Sequence, residues 1–142
     1  MMNVHATCIV KNGAGLLLRG PSASGKSDLA LRLIDRGFRL VADDRVVLAT
    51  KDGTLWASPP SALAGCLEIR GLGIWQLAHE SEARLVMVAD LVDAAQVVRL
   101  PELTQITLEG VRLAHMNVAP FEASAPIKLA WALEKAAKDR PS

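Results

Sequence analysis

The stretch GPSASGKS, Gly20 to Ser27, constrains this chain more than any other eight residues. It satisfies G-x-x-x-x-G-K-[ST] at every fixed position. An apolar run, Leu16-Leu17-Leu18, precedes it, and residues of helical period follow. Such a loop must turn sharply from a strand into a helix. Its amides and the positive end of the helix then face one point, where an anion is the natural occupant. Gly20, Pro21, Ser22, Ala23, Ser24, Gly25, Lys26 and Ser27 are therefore candidate phosphate-binding residues. Lys26 can reach β- and γ-phosphates, and the Ser27 hydroxyl can ligate Mg²⁺.

The flanking sequence supplies the context this motif needs. VHATCIV reads as a strand, Asn12-Gly13 as a tight turn and LLLR as a returning strand buried on both faces. After the loop, Leu29, Ala30, Leu33 and Ile34 form one apolar stripe, Asp28 and Arg32 pair at i,i+4, and Gly37 suits a left-handed C-terminal cap. RLVA predicts a strand that ends at Asp43-Asp44. VVLAT and LWAS flank the turn KDG, and PPSALAG reads as a loop or single turn. CLEIRGLGIWQL reads as strand interrupted by Gly71 and Gly73, where a bulge is expected. RLVMVADLV is an apolar strand, ITLEGVRLAHMNV a hairpin around Glu109-Gly110, and residues 124–140 a helix capped by Ser124 with a stripe of Leu129, Ala130, Leu133 and Ala137. These elements predict one α/β domain with a mixed sheet and flanking helices.

The paired acids are the second candidate component. Alone, Asp-Asp reads as a solvated turn. At the end of a strand one helix after the loop, it stands where a carboxylate can hold Mg²⁺ through water while its neighbour takes a proton from an attacking hydroxyl. The rest of the composition excludes competing classes. A formal net charge of +1 gives no bulk drive toward nucleic acid or an anionic membrane. No apolar run approaches a membrane span, and no signal peptide is visible, so a cytoplasmic protein is expected. The two cysteines, Cys8 and Cys66, have no metal-ligand spacing and read as small hydrophobes. Trp56, Trp75 and Trp131 read as core or subunit-contact residues, and His79 and His115 have no evident partner.

GPSASGKSDLALRLIDRGFRLVADDRV followed by LEIRGLGI resembles the catalytic domain of the bifunctional HPr kinase/phosphorylase family, which carries a P-loop, then an RG-h-RLVADD segment, then an EIRGLG stretch in this order. The resemblance runs from about His5 to Ile74, and it implies a single P-loop domain similar to the phosphoenolpyruvate carboxykinase-like fold. It further implies ATP- and Mg²⁺-dependent phosphorylation of a serine in HPr, the phosphocarrier of the sugar phosphotransferase system, and the reverse reaction with inorganic phosphate. By the same resemblance Lys26 binds phosphates and Ser27 binds Mg²⁺. Asp44 is the base, with Asp43 beside it. Glu68 helps hold Mg²⁺, Arg70 stabilises phosphoryl charge, and His5 orients the aspartates. A homo-oligomer, commonly a hexamer in the family, is also implied.

Two departures from the family pattern bear on these expectations. The chain starts almost at the catalytic domain, so residues 1–142 are read as that domain without the N-terminal one. The C-terminal segment NVAPFEASAPIKLAWALEKA lacks the arginine that family members carry there, which weakens the reverse reaction most. Arg99 and Arg112 are the candidate substitutes. A nucleotide-sensing regulatory module without transfer activity is the alternative reading, and a P-loop kinase for a small metabolite a third.

Overall fold

The computed structural model describes residues 1–99 and 104–139. Two strands, β1 (Met2–Val4) and β2 (Thr7–Lys11), open the chain, with His5 and Ala6 between them rather than inside one continuous strand. The Asn12-Gly13 turn, with φ of 51° and 77°, returns the chain into β3 (Ala14–Arg19). The glycine loop follows, then α1 (Lys26–Asp35), β4 (Arg39–Ala42), β5 (Val46–Lys51) and β6 (Thr54–Ser58). A single 3-10 turn at Ser61–Leu63 leads to β7 (Cys66–Ile69) and β8 (Gly73–Gln76). The last elements are β9 (Ala83–Leu91), β10 (Thr104–Leu108), β11 (Val111–Val118) and α2 (Ala125–Asp139). Arg140, the last residue of the predicted C-terminal helix, lies outside the described residues.

The centre of the sheet is β9-β3-β2-β4, with β3 and β9 parallel and β2 antiparallel to both its neighbours. β9 is nine residues long, and its other edge is shared. Its start pairs with β6, which continues to β5 and β1, while Met87–Leu91 pair in parallel with β11. The sheet therefore forks at β9. Three apolar residues in a row on β3 explain how this is stabilised. Leu16 and Leu18 face α1 and α2, packing with Leu29, Leu33, Leu129 and Leu133. Leu17 faces the opposite side, against Leu48, Leu55, Val88 and Leu113. All three are fully buried, as a strand covered on both faces requires. α2 lays its Ala125, Leu129 and Leu133 stripe on this same core.

Two expectations change. CLEIRGLGIWQL is not one bulged strand but a separate two-stranded antiparallel hairpin, β7–β8. Gly71 and Gly73, at φ of 92° and 93°, allow the chain to reverse where a side chain would strain it. Of the two places expected for the tryptophans, core or subunit contact, the core is not where they lie. Trp56 is half-buried, while Trp75 and Trp131 are 49% and 75% exposed. Trp131 sits on the side of α2 away from the apolar stripe, and Trp75 on a hairpin too small to cover its own outer face.

Candidate active site

β3, β9 and β11 run parallel, so their carboxyl ends, Arg19, Asp90 and Asn117, lie at one edge. The glycine loop leaves from that edge. Inside it, Ser24 N–H donates to the Pro21 carbonyl at 3.1 Å and Leu29 N–H to Gly25 O at 2.9 Å. Gly25 is the N-cap of α1, at φ 97°, and no side chain among the described residues caps the helix. The first-turn amides are thus left for an external acceptor. Ala23 adopts φ 65°, a left-handed conformation unusual for a residue with a Cβ. The Ser24 hydroxyl is buried with no hydrogen-bond partner among the described residues, and a Cβ built on Gly20 would lie 2.6 Å from it. Glycine at 20 is what lets the loop close over this side chain.

Lys26 is 7% exposed. Its ammonium donates to the carbonyls of Gly20 at 2.6 Å and Pro21 at 3.0 Å. Burial lowers its pKa from 10.5, against the opposing pull of Asp43 and Asp44. Ser27, one residue on, donates its hydroxyl to both Asp43 oxygens at 2.9 and 3.1 Å. β4 is antiparallel to β2 and ends beside the loop, which is why residues sixteen positions apart meet.

Asp43 and Asp44 are adjacent but live in different surroundings. Asp43 is 6% exposed and accepts from three groups: Ser27 as above, Thr7 Oγ1 at 2.8 Å, and the Glu68 amide at 3.4 Å. Asp44 is exposed, at φ 69°, and its Oδ1 meets His5 Nε2 at 3.0 Å. The left-handed step at Asp44 points the two carboxylates apart, one inward and one outward. Backbone in this region is costly for a non-glycine residue and gathers at functional sites.

The remaining candidates stand at varied distances from this cluster. Glu68 touches it through its backbone amide, and its side chain is exposed on β7. Arg70 lies just past β7 in the turn, exposed, and does not pair with Glu68 among the described residues. No group of three His, Cys, Asp or Glu side chains with metal-holding geometry occurs among the described residues. Arg112 is the second residue of β11, six residues from Val118 at the loop edge, or about 20 Å along a strand, so this chain's own fold does not bring it to the loop. Arg99 is exposed.

Three features were not legible in the sequence. Thr7, fully buried, opens the apolar run Cys8-Ile9-Val10, and a polar residue at that place was the only signal for it. Arg19 makes a bidentate pair with Asp90 at 2.8 and 2.9 Å, and His115 Nε2 meets Asp90 Oδ2 at 2.7 Å. Burial pushes the Asp90 carboxyl up, but the hydrogen bonds and charge of Arg19 and His115 hold it below 3.8. His79, the other unassigned histidine, meets the Leu77 carbonyl at 3.2 Å. Finally, Arg32 binds Asp28 at 3.1 Å as expected, and it also donates to the carbonyls of Pro120 and, at 3.3 Å, Glu122. That ties the segment before α2 to the helix that follows the glycine loop.

Fold and site together define an α/β domain with a mixed sheet, two helices and an amide-lined loop beside paired acids at one sheet edge. The solved structure of the Hpr(Ser) kinase/phosphatase from Coxiella burnetii shares this fold, with a TM-score of 0.83, 26% sequence identity and 97% of each chain covered. Residues 1–119 match the family described as HPr Serine kinase C-terminal domain, and the chain belongs to that family. The HPr kinase/phosphorylase of Streptococcus pyogenes serotype M1 is 37% identical over 128 residues, which is 82% of this chain and 41% of that protein. That of Streptococcus thermophilus (strain CNRZ 1066) is 52% identical over 73 residues, 51% of this chain and 24% of that protein. The chain thus spans less than half the length of these curated relatives. No helix among the described residues is long and apolar enough to cross a membrane.

Proposed function

We propose that this chain binds ATP with Mg²⁺ and transfers the γ-phosphoryl group to a serine of an HPr-type phosphocarrier. The observation that carries the reading is the wiring of Lys26, Ser27 and Asp43 around the mouth of the loop, with Asp44 turned outward beside them. In this reading Gly20–Ser27 is a phosphate-binding loop, and its uncapped helix amides receive phosphate oxygens. Lys26 exchanges the carbonyls of Gly20 and Pro21 for the β- and γ-phosphates. Ser27 Oγ and the Asp43 carboxylate form a hard oxygen pair that fits Mg²⁺, which takes one or two carboxylates with water and phosphate oxygens. Bound there, the ion supplies neutralisation of phosphate charge. The Glu68 carboxylate and the Arg70 guanidinium, one strand away, belong to the same proposed site.

The incoming serine presents its hydroxyl to Asp44. As the serine oxygen bonds to the γ-phosphorus, the bond to the ADP oxygen breaks and the hydroxyl proton passes to Asp44. His5 occupies Oδ1 of that carboxylate, which fixes its rotation and leaves Oδ2 for the proton. Reversal with inorganic phosphate as acceptor, the relation to the phosphoenolpyruvate carboxykinase-like fold and assembly into a homo-oligomer belong to the same reading. The decisive experiment uses the purified chain, γ-labelled ATP, Mg²⁺ and HPr, beside HPr with its target serine changed to alanine. Label on the serine form alone is the expected result.

The second reading, a nucleotide sensor without transfer, is favoured by one observation. The segment before α2, where family members carry an arginine, presents none, and the nearby Arg32 is engaged by the carbonyls of Pro120 and Glu122. Nucleotide binding without label on HPr selects that reading.

A further inference from the structure

Phe121 is 74% exposed, yet its backbone is held on both sides. Pro120 before it is buried. The Arg32 guanidinium binds the carbonyls on both sides of it, at Pro120 and Glu122. The Glu122 carboxylate meets Lys128 Nζ at 3.1 Å, and the Glu122 carbonyl accepts Ala125 N–H at 3.1 Å. The ring itself lies on the glycine loop. A Cβ built on Gly25 would meet Phe121 Cε1 at 3.0 Å and Cζ at 3.1 Å. Glycine at 25 is therefore required twice, for its φ of 97° and for the ring's approach.

A flat apolar ring, fixed from behind, open to solvent in front and lying on the glycine that precedes the lysine of a phosphate cradle, has the chemistry of a base-stacking platform. Every purine has a π face, and stacking on an aromatic side chain needs no hydrogen-bond code. We propose that Phe121 stacks the purine of the nucleoside triphosphate whose phosphates occupy the Gly20–Ser27 loop. The inference rests on the phosphate-loop reading above and adds what holds the other end of the ligand. The ring offers a surface and no donors or acceptors, so adenine and guanine are held alike.

The test measures the affinity of the full chain, with Mg²⁺, for ATP, GTP and inorganic tripolyphosphate by calorimetry. Phe121→Ala should weaken ATP and GTP by a similar factor, about 5- to 100-fold from the usual worth of one stacked base, while leaving tripolyphosphate unchanged. Phe121→Trp should restore nucleotide affinity and add tryptophan fluorescence that ATP quenches and tripolyphosphate does not. Equal loss for all three ligands would mean that the ring only shapes the loop, and would overturn the platform. So would unchanged nucleotide affinity with a raised KM for HPr, which would make Phe121 a protein contact. If the parent binds tripolyphosphate as tightly as ATP, the platform fails while the phosphate loop stands. If Lys26→Ala leaves tripolyphosphate affinity intact, the phosphate-loop reading fails, and the platform with it.

Discussion

Replacing Thr7 by valine isolates one hydrogen bond at the centre of the site. Valine keeps the β-branched shape that suits strand β2 and leaves no cavity, so the hydroxyl alone is lost. That hydroxyl donates to Asp43 Oδ1 at 2.8 Å from a fully buried position. Hydrogen bonds to charged groups contribute about 1.5–3 kcal/mol. Because Ser27 still donates to both Asp43 oxygens, the carboxylate is not orphaned, and the lower end, roughly 1.5–2 kcal/mol, applies. For a domain of this size that corresponds to a melting temperature lowered by roughly 5–7 °C. Urea unfolding should show a lower midpoint with an unchanged m-value. The informative control is the same substitution in an Asp43→Ala background. There the hydroxyl has lost its acceptor, so Thr7→Val should be neutral or stabilising, giving a coupling energy above about 1 kcal/mol. An equal cost in both backgrounds, or a cost below about 0.5 kcal/mol in the parent, would refute the bond's role.

Four further outcomes are expected. Asp44→Asn should abolish label transfer to HPr while sparing ATP affinity, because Asp44 is exposed and outside the loop; full activity would remove its assignment as base. Lys26→Ala should weaken ATP binding itself, as calorimetry can read. Ala23→Gly should raise the urea midpoint by the equivalent of about 0.5–1 kcal/mol, since Ala23 holds φ 65°, where glycine is unstrained. The Asp90 carboxyl is depressed by Arg19 and His115, so its contribution to stability is complete above its ordinary 3.8 and is lost as pH falls below that through the folded value; Asp90→Asn should flatten the stability profile in that acid range.

Local rules account for what the sequence by itself determined. A turn that needs left-handed backbone at Asn12-Gly13, an apolar stripe at Leu29, Ala30 and Leu33, and a Gly-Lys-Ser loop before it are short-range patterns, and the structure has the hairpin, helix and loop where those patterns put them. Asp43 and Asp44 were legible as a pair for the same reason. Only the tertiary structure decided that the pair divides, with Asp43 inward against Thr7 and Ser27 and Asp44 outward against His5, because that depends on β2 lying beside β4. The cluster of Arg19, Asp90 and His115, and the clamp of Arg32 on the segment around Phe121, join residues 25 to 90 positions apart. No periodicity or motif records such contacts. They exist because parallel β3, β9 and β11 bring their carboxyl ends to one edge, and because α1 and α2 pack on the same face of that sheet.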